Sequence, residues 1–394
     1  MTVAYALDPR RLVDARFRYR KFIDECRGAD GLFRLTPKAD SSSYALCFAI
    51  FGYKLLCAHD VIHANRLAWN RYLRDELLAQ KSFRERHTPL SMDKPYLQLL
   101  TFTLSALSIL DTLYDSPFAD EVRALLPDDV ESALLDAKAL EGVPRSGNQA
   151  MFLAILLIYA RDYLGCDTQS ALDRWVTLHR LALNQFGFWG SSRSPSHLQF
   201  QNGYHQYEIL QYLQSVGIPW EDAAASVALL ADDEGHFAPY PGGGGCYDYD
   251  AVFMLTTQRN LSLRYRELLM STTASILDEQ NADGGFCESR YIRPRSPENL
   301  FRAINHGLSC RGQARLERFR LGLTLLRPKY DRIHTHWSCY SREWNESDLW
   351  DSWFRMLTLA RIDCALNTQN VNLWGFINFP GIGFNPALHG KTAK

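Results

Sequence analysis

The sequence predicts an all-α protein, an (α/α)6 toroid of six inner and six outer helices. Three observations predict it. Apolar residues recur at three- and four-residue spacing along most of the 394 residues. Convincing strand alternation is scarce. Four short turns punctuate the helical runs: "ADGLF" (Ala29–Phe33), "QFGFW" (Gln185–Trp189), "DEGHF" (Asp233–Phe237) and "ADGGF" (Ala282–Phe286). The last three recur every 48 to 50 residues or about that, an internal period that belongs to repeat architectures.

Each turn closes a helix with glycine in the left-handed conformation, and an aromatic plug follows it. A polar or Gly/Ser/Pro loop comes next, then a second, more apolar helix. Those second helices start near Ser43, Lys94, Asn148, Tyr204, Asp248 and Asp348. Helices apolar nearly all round belong to an inner layer. Six of them, each paired with an amphipathic partner, predict a single domain over residues 1–394, a closed ring in preference to an open solenoid. Residues 288–345 break the rhythm with arginine, histidine, proline and aromatic residues, which reads as an insertion or lid. Residues 371–394 read as an irregular C-terminal tail.

Composition narrows the function. The net charge of -1 gives no argument for nucleic acid or an anionic surface on the global scale, although short basic clusters exist. Nine scattered cysteines, odd in number and without a Cys-x-x-Cys pair, read as reduced thiols, so a cytoplasmic location is expected. The longest apolar runs are too short for a transmembrane helix. Peripheral membrane contact stays open.

The stretch "LDEQNADGGFCES" (Leu277–Ser289) resembles the repeat of the terpenoid cyclase and protein prenyltransferase superfamily. Gln280, Gly284 and Phe286 are similar to the "QW" motif of squalene-type cyclases, with Phe for Trp, and "NQFGFWG" (Asn184–Gly190) is a shortened variant. "HFAPYPGGGGCYDYDAVFML" is similar to the Gly-rich turn and following helix of both groups. The prenyltransferase side of the resemblance implies zinc held by an Asp, a Cys and a distant His. Here Cys246 matches the cysteine, but Gly244 stands in place of the Asp and Asp351 in place of the His, so no metal and no cofactor is expected. The class II cyclase side implies an Asp-x-Asp-Asp acid. "DYDA" supplies Asp248 and Asp250, with Ala251 at the last position. Asp250 would then protonate an alkene or epoxide, with Asp248 or His205 setting its protonation. The paired aspartates of "PDDVE" (Pro127–Glu131) are the weaker sign of a metal-dependent cyclase.

Inner helices aim one end at a central cavity, so polar residues there converge. The candidates are Asn148, Gln149, Tyr204, His205, Asp248, Asp250, Asp348 and Asp351. Aromatic faces stabilise cations, and Tyr249, Trp337, Trp344, Trp350, Trp353 and Phe354 supply them. Arg293 and Arg295, within "SRYIRPRSPENLFR", suit an anionic head group. Duller readings stand beside these: Asp248 as a helix N-cap, His205 as a structural histidine, the arginines as a solvated basic loop. His334, His336 and Cys339 have ligand spacing without a second cluster. The leading expectation is an enzyme, a lyase or isomerase that cyclises or rearranges an isoprenoid-like apolar substrate. The alternatives are a carbohydrate-active lyase or hydrolase using His205 and Tyr204, and a non-catalytic binding protein.

Overall fold

The computed structural model describes residues 9–87, 94–257, 261–335 and 338–383, with the backbone alone for 81–87. His336, Trp337 and the last eleven residues of the expected tail lie outside the described residues. The described chain is all-α, as the periodicity predicts. Fifteen α-helices alternate with turns and short 3-10 segments, and the two-residue strands β1 (Arg332–Ile333) and β2 (Arg342–Glu343) pair antiparallel.

In chain order the helices are α1 (Pro9–Glu25), α2 (Ser43–Leu55), α3 (His59–His87), α4 (Lys94–Ile109), α5 (Ala119–Leu125), α6 (Val130–Asp136), α7 (Ser146–Leu164) and α8 (Gln169–Leu181). Then come α9 (His197–Tyr212), α10 (Trp220–Ala228), α11 (Gly245–Thr256), α12 (Leu263–Asp278), α13 (Pro297–Ser309), α14 (Gly312–Leu325) and α15 (Leu349–Leu366). The six predicted apolar helices are α2, α4, α7, α9, α11 and α15. Burial separates them from their neighbours. α7 is buried continuously from Ala150 to Ala160, and α15 from Asp351 to Cys364. α1 buries only the stripe Leu12, Ala15, Tyr19, Phe22 and Ile23, and α8 only Leu172, Trp175 and His179. Apolar surface on all sides drives the first kind inward, and one stripe seats the second kind against it.

Five of the six starts fall within three residues of the sequence expectation. The exception is α9, which begins at His197 instead of near Tyr204. Its cap comes from far along the chain: the Glu317 carboxylate accepts from the His197 amide at 2.7 Å and the Ser196 hydroxyl at 2.6 Å. An N-terminus satisfied from a distance leaves no local signature.

The four turns share one geometry. Gly31, Gly187, Gly235 and Gly284 all take positive φ, between 77° and 90°. Each amide bonds back to a carbonyl three residues earlier, at 3.0, 3.0, 3.1 and 2.9 Å. The plugs two residues on, Phe33, Trp189, Phe237 and Phe286, are all buried. In the last turn Gln280 donates to the carbonyls of Ala15 at 3.0 Å and Gly284 at 2.8 Å, which ties the turn to α1.

The described residues divide into two compact units. One comprises those of Met1–Gly52, Ser192–His197 and Trp220–Trp374, and is built on α1, α11, α12 and α15. The other comprises those of Tyr53–Ser191, Leu198–Pro219 and Gly375–Lys394, and is built on α4, α7 and α8. Residues 288–345 belong to the first unit. They contain α13, α14 and the β1–β2 ribbon, and share a small core of Ala238, Tyr240, Ile292, Leu325 and Trp344. No helix among the described residues is long and apolar enough to cross a membrane.

A Cβ at position 284 would meet the Arg18 carbonyl, and φ is +90° there. Gly284→Ala should therefore cost about 2–3 kcal/mol, read as a drop of several degrees in thermal midpoint, with helical circular dichroism unchanged below the transition.

Candidate active site

The glycine run Gly242–Gly245 leads into α11, and its backbone is packed against charge. Gly242 and Gly243 have φ of 80° and 67°. A Cβ at Gly243 would overlap the Asp248 carboxylate and stand 2.6 Å from His236 Nδ1 and 2.9 Å from Arg355. Only glycine lets the chain pass so close while holding a left-handed conformation.

Asp248 does not cap its helix. Gly244 is the N-cap and makes no side-chain bond, so the capping expectation is corrected. Asp248 lies one turn further in, where it faces buried cations. Its Oδ2 pairs with Arg355 at 2.5 Å and with His236 Nδ1 at 2.9 Å, and its Oδ1 accepts from the Phe237 amide at 2.8 Å. Glu279 closes the figure, 3.2 Å from His236 Nε2 and 3.4 Å from Arg355. Each of the four side chains thus touches two opposite charges. Arg355 also donates to the Gly242 carbonyl at 2.7 Å. Burial alone would push the His236 imidazole down, but Asp248 and Glu279 outweigh it and hold the ring up to about 10. With both nitrogens facing carboxylates, His236 is an imidazolium at neutral pH, and two positive charges balance two negative ones.

A second cluster adjoins along α15, and it is not balanced. Asp348 is the N-cap, accepting from the Asp351 amide at 2.7 Å. Arg342 of β2 forms close ion pairs with Asp348 and Asp351 and lies 3.7 Å from Glu288, which in turn accepts from the Tyr240 hydroxyl. Three carboxylates therefore share one guanidinium. Burial, then the charges of Asp348 and Glu288, push Asp351 well above the ordinary carboxylate range, against the pull of Arg342 and Arg355. Asp351 is fully buried, and its Oδ1 has no hydrogen-bond partner among the described residues. A neutral carboxylic acid fits that environment.

Aromatic rings cluster on α2, α11 and α15, the last of which carries Asp351. Trp350 stacks on Tyr44 at 5.8 Å and meets Phe48 and Phe354 edge-on at 5.1 and 4.9 Å. Tyr249 lies 5.8 Å from Phe354, and Trp353 lies 5.5 Å from Phe51. Asp250 is buried on α11. Burial, then its charge, push the Cys246 thiol well above its usual value. Among the described residues no group of three or more His, Cys, Asp and Glu is arranged to hold a metal ion.

Asn148, Gln149, Tyr204 and His205 belong to the second unit. There Lys94 donates to Asn148 Oδ1 at 2.9 Å, and Asn148 Nδ2 meets His205 Nε2 at 2.8 Å. A lysine only donates, so the amide nitrogen must donate to Nε2, and the ring proton sits on Nδ1. Burial, then the Lys94 charge, push His205 down to about 3, so it is a neutral ring and a weak base. Tyr204 donates to Glu208 at 3.2 Å.

The arginines of the insertion are engaged internally. Arg293 pairs with Asp331 at 2.7 Å and Arg295 with the other oxygen at 3.0 Å. The "PDDVE" pair is exposed, and Asp129 caps α6 through Ser132. His334 bonds Ser341 at 2.7 Å. Sequence reading missed His236, Glu279, Glu288, Arg342 and Arg355. One signal was available: Arg355 is a charge in the middle of a helix buried on nearly every side, which calls for a buried partner. His236 was hidden inside a turn read only as punctuation, and Glu279 stands just ahead of another, at the C-cap of α12.

The chain is similar to solved structures of the type II terpene cyclase MstE from Scytonema. The apo enzyme aligns at 16% identity and a TM-score of 0.49, covering 91% of this chain and 98% of that one. A variant in complex with geranylgeranyl dihydroxybenzoate aligns at 16% and 0.48, covering 92% and 99%. No protein-family model and no curated protein matches the chain.

The two clusters respond differently to neutralisation. Asp248→Asn leaves buried cations short of an anion and should cost about 3–5 kcal/mol in urea unfolding. Asp351→Asn mimics the neutral acid and should change stability by no more than roughly 1 kcal/mol. The pH dependence has a defined sign. His236 is raised from 6.5 to about 10, so the folded state binds the extra proton between those values. Its stabilisation is complete below pH 6.5 and is lost as pH rises towards 10, on the order of a few kcal/mol. His236→Gln should remove that slope from the urea midpoint.

Proposed function

We propose that this protein is an acid-initiated cyclase or isomerase of an isoprenoid-like apolar substrate. The observation that carries the reading is Asp351: a fully buried carboxyl pushed well above its ordinary range, with one oxygen free of hydrogen bonds among the described residues and aromatic rings beside it. A neutral carboxylic acid is what protonation of an alkene or epoxide requires. In this reading Asp351 gives its proton to the substrate carbon or oxygen and becomes a carboxylate beside Arg342, which stabilises the charge it acquires. The carbocation formed is faced by the rings of Trp350, Phe354 and Tyr249. Loss of a proton from the rearranged cation ends the reaction. Asp250 is the alternative donor, the position that the "DYDA" resemblance names. His236, Arg355, Asp248 and Glu279 position the glycine run and the head of α11 without giving up a proton, because their charges already balance.

The carbohydrate-lyase reading has less support. It asks His205 to take a proton, and a ring held down to about 3 does this poorly at neutral pH.

The test is turnover of a panel of polyprenyl alcohols, polyprenyl epoxides and polyprenylated phenols, with products analysed by mass spectrometry. Asp351→Asn should lower kcat by about 10³-fold while the thermal midpoint is kept. Loss of turnover in Asp250→Asn with Asp351→Asn active would move the donor to Asp250. Wild-type protein that converts no member of the panel would sink the reading.

A further inference from the structure

The hairpin of α13 and α14 is built inside out. Its polar anchors are buried. Arg318 donates to the carbonyls of His306 at 2.8 Å and Leu230 at 2.7 Å, and to Ser309 Oγ at 2.6 Å, and its Nε lies 3.1 Å from His197. His306 pairs with Asp232 at 3.2 Å. Eight of its large apolar residues face out. Leu300, Phe301, Ile304 and Leu308 form one stripe along α13, with Phe301 63% exposed. Leu316, Phe319, Leu323 and Leu326 form another along α14, with Leu323 68% exposed. Phe319 lies against Gly307, so the stripes meet where the helices touch. These eight are among nineteen large apolar residues exposed on the described surface, so one short segment holds a disproportionate share. A contiguous patch of this kind marks an interaction surface.

The charge of the same segment selects the partner. Residues 297–329 contain seven arginines and lysines against two glutamates, within a chain whose net charge is -1. Arg311, Arg320, Arg327 and Lys329 are exposed beside the stripes. A second copy of the hairpin would present the same positive charge and be repelled. An anionic bilayer offers both what the leucines and phenylalanines lack and what the arginines attract. Each helix is too short to span it, so the hairpin would lie in the interface. We propose that the α13–α14 hairpin docks this protein on the surface of an anionic lipid bilayer. The proposal does not depend on the chemistry assigned to Asp351.

The test is co-sedimentation of the full chain with vesicles of phosphatidylcholine alone and vesicles containing about one third phosphatidylglycerol. Wild type should pellet with the anionic vesicles and far less with the neutral ones. Phe301→Ser with Leu323→Ser, and separately Arg320→Glu with Arg327→Glu, should each lower the bound fraction roughly tenfold, with thermal midpoints unchanged because all four residues are exposed. Amide exchange across residues 297–326 of the wild type should slow when anionic vesicles are added. Wild type that stays in the supernatant with both vesicle types overturns the proposal. So does vesicle binding that neither pair of substitutions weakens. A concentration-dependent dimer that the Phe301→Ser, Leu323→Ser variant dissolves, without vesicle binding, assigns the face to a second copy instead.

Discussion

Four charges closed into a ring constrain the first compact unit: Arg355 and His236 against Asp248 and Glu279. Ions this deeply buried are tolerable only when each has its partners, since leaving one unpaired costs several kcal/mol. The ring draws on four separate stretches of chain: a turn, the first part of α11, the end of α12 and the middle of α15. Their relative placement is therefore tightly specified. The glycine run is a consequence of the same constraint. Its backbone carries the Gly242 carbonyl to Arg355, and at Gly243 a side chain would collide with the carboxylate that the ring depends on.

Next to this balanced ring stands an unbalanced group, and the contrast carries the functional reading. Glu288, Asp348 and Asp351 all draw on Arg342, their one ion-pair partner among the described residues. Charge neutrality inside a protein is reached either by pairing or by protonation. The first cluster takes the first route and the second is pushed towards the other. Arg342 and Glu288 both come from the segment that interrupts the repeat. That segment thus helps to set the ionisation of an acid on α15, and also presents the apolar, basic hairpin on its outer side.

The fold was largely readable from the sequence because its cause is local. Positions three and four apart lie on one helix face, so apolar spacing reports which faces are buried. A turn needing left-handed backbone asks for glycine at one place, and all four predicted glycines take it. The helix start that was misread, α9, is the one whose amide is satisfied by Glu317 across a long stretch of chain. The site was readable only in part. Asp248, Asp250, Asp348 and Asp351 stand out as acids at the heads of apolar helices, but nothing nearby in sequence distinguishes the Asp248 that pairs with Arg355 from the Asp348 that caps a helix. His205 looked chemically prominent, and its environment holds it neutral.

By itself the sequence determined the all-α class, the repeat of turn and plug, the apolar helices and the set of acids at their heads. Those follow from periodicity and backbone conformation, which act over a few residues. Only the tertiary structure decided which acid meets balancing cations and which is pushed towards its neutral form. Ionisation inside a protein depends on burial and on the sum of charges within a few ångströms, and those charges come from residues as distant along the chain as Asp248 and Arg355.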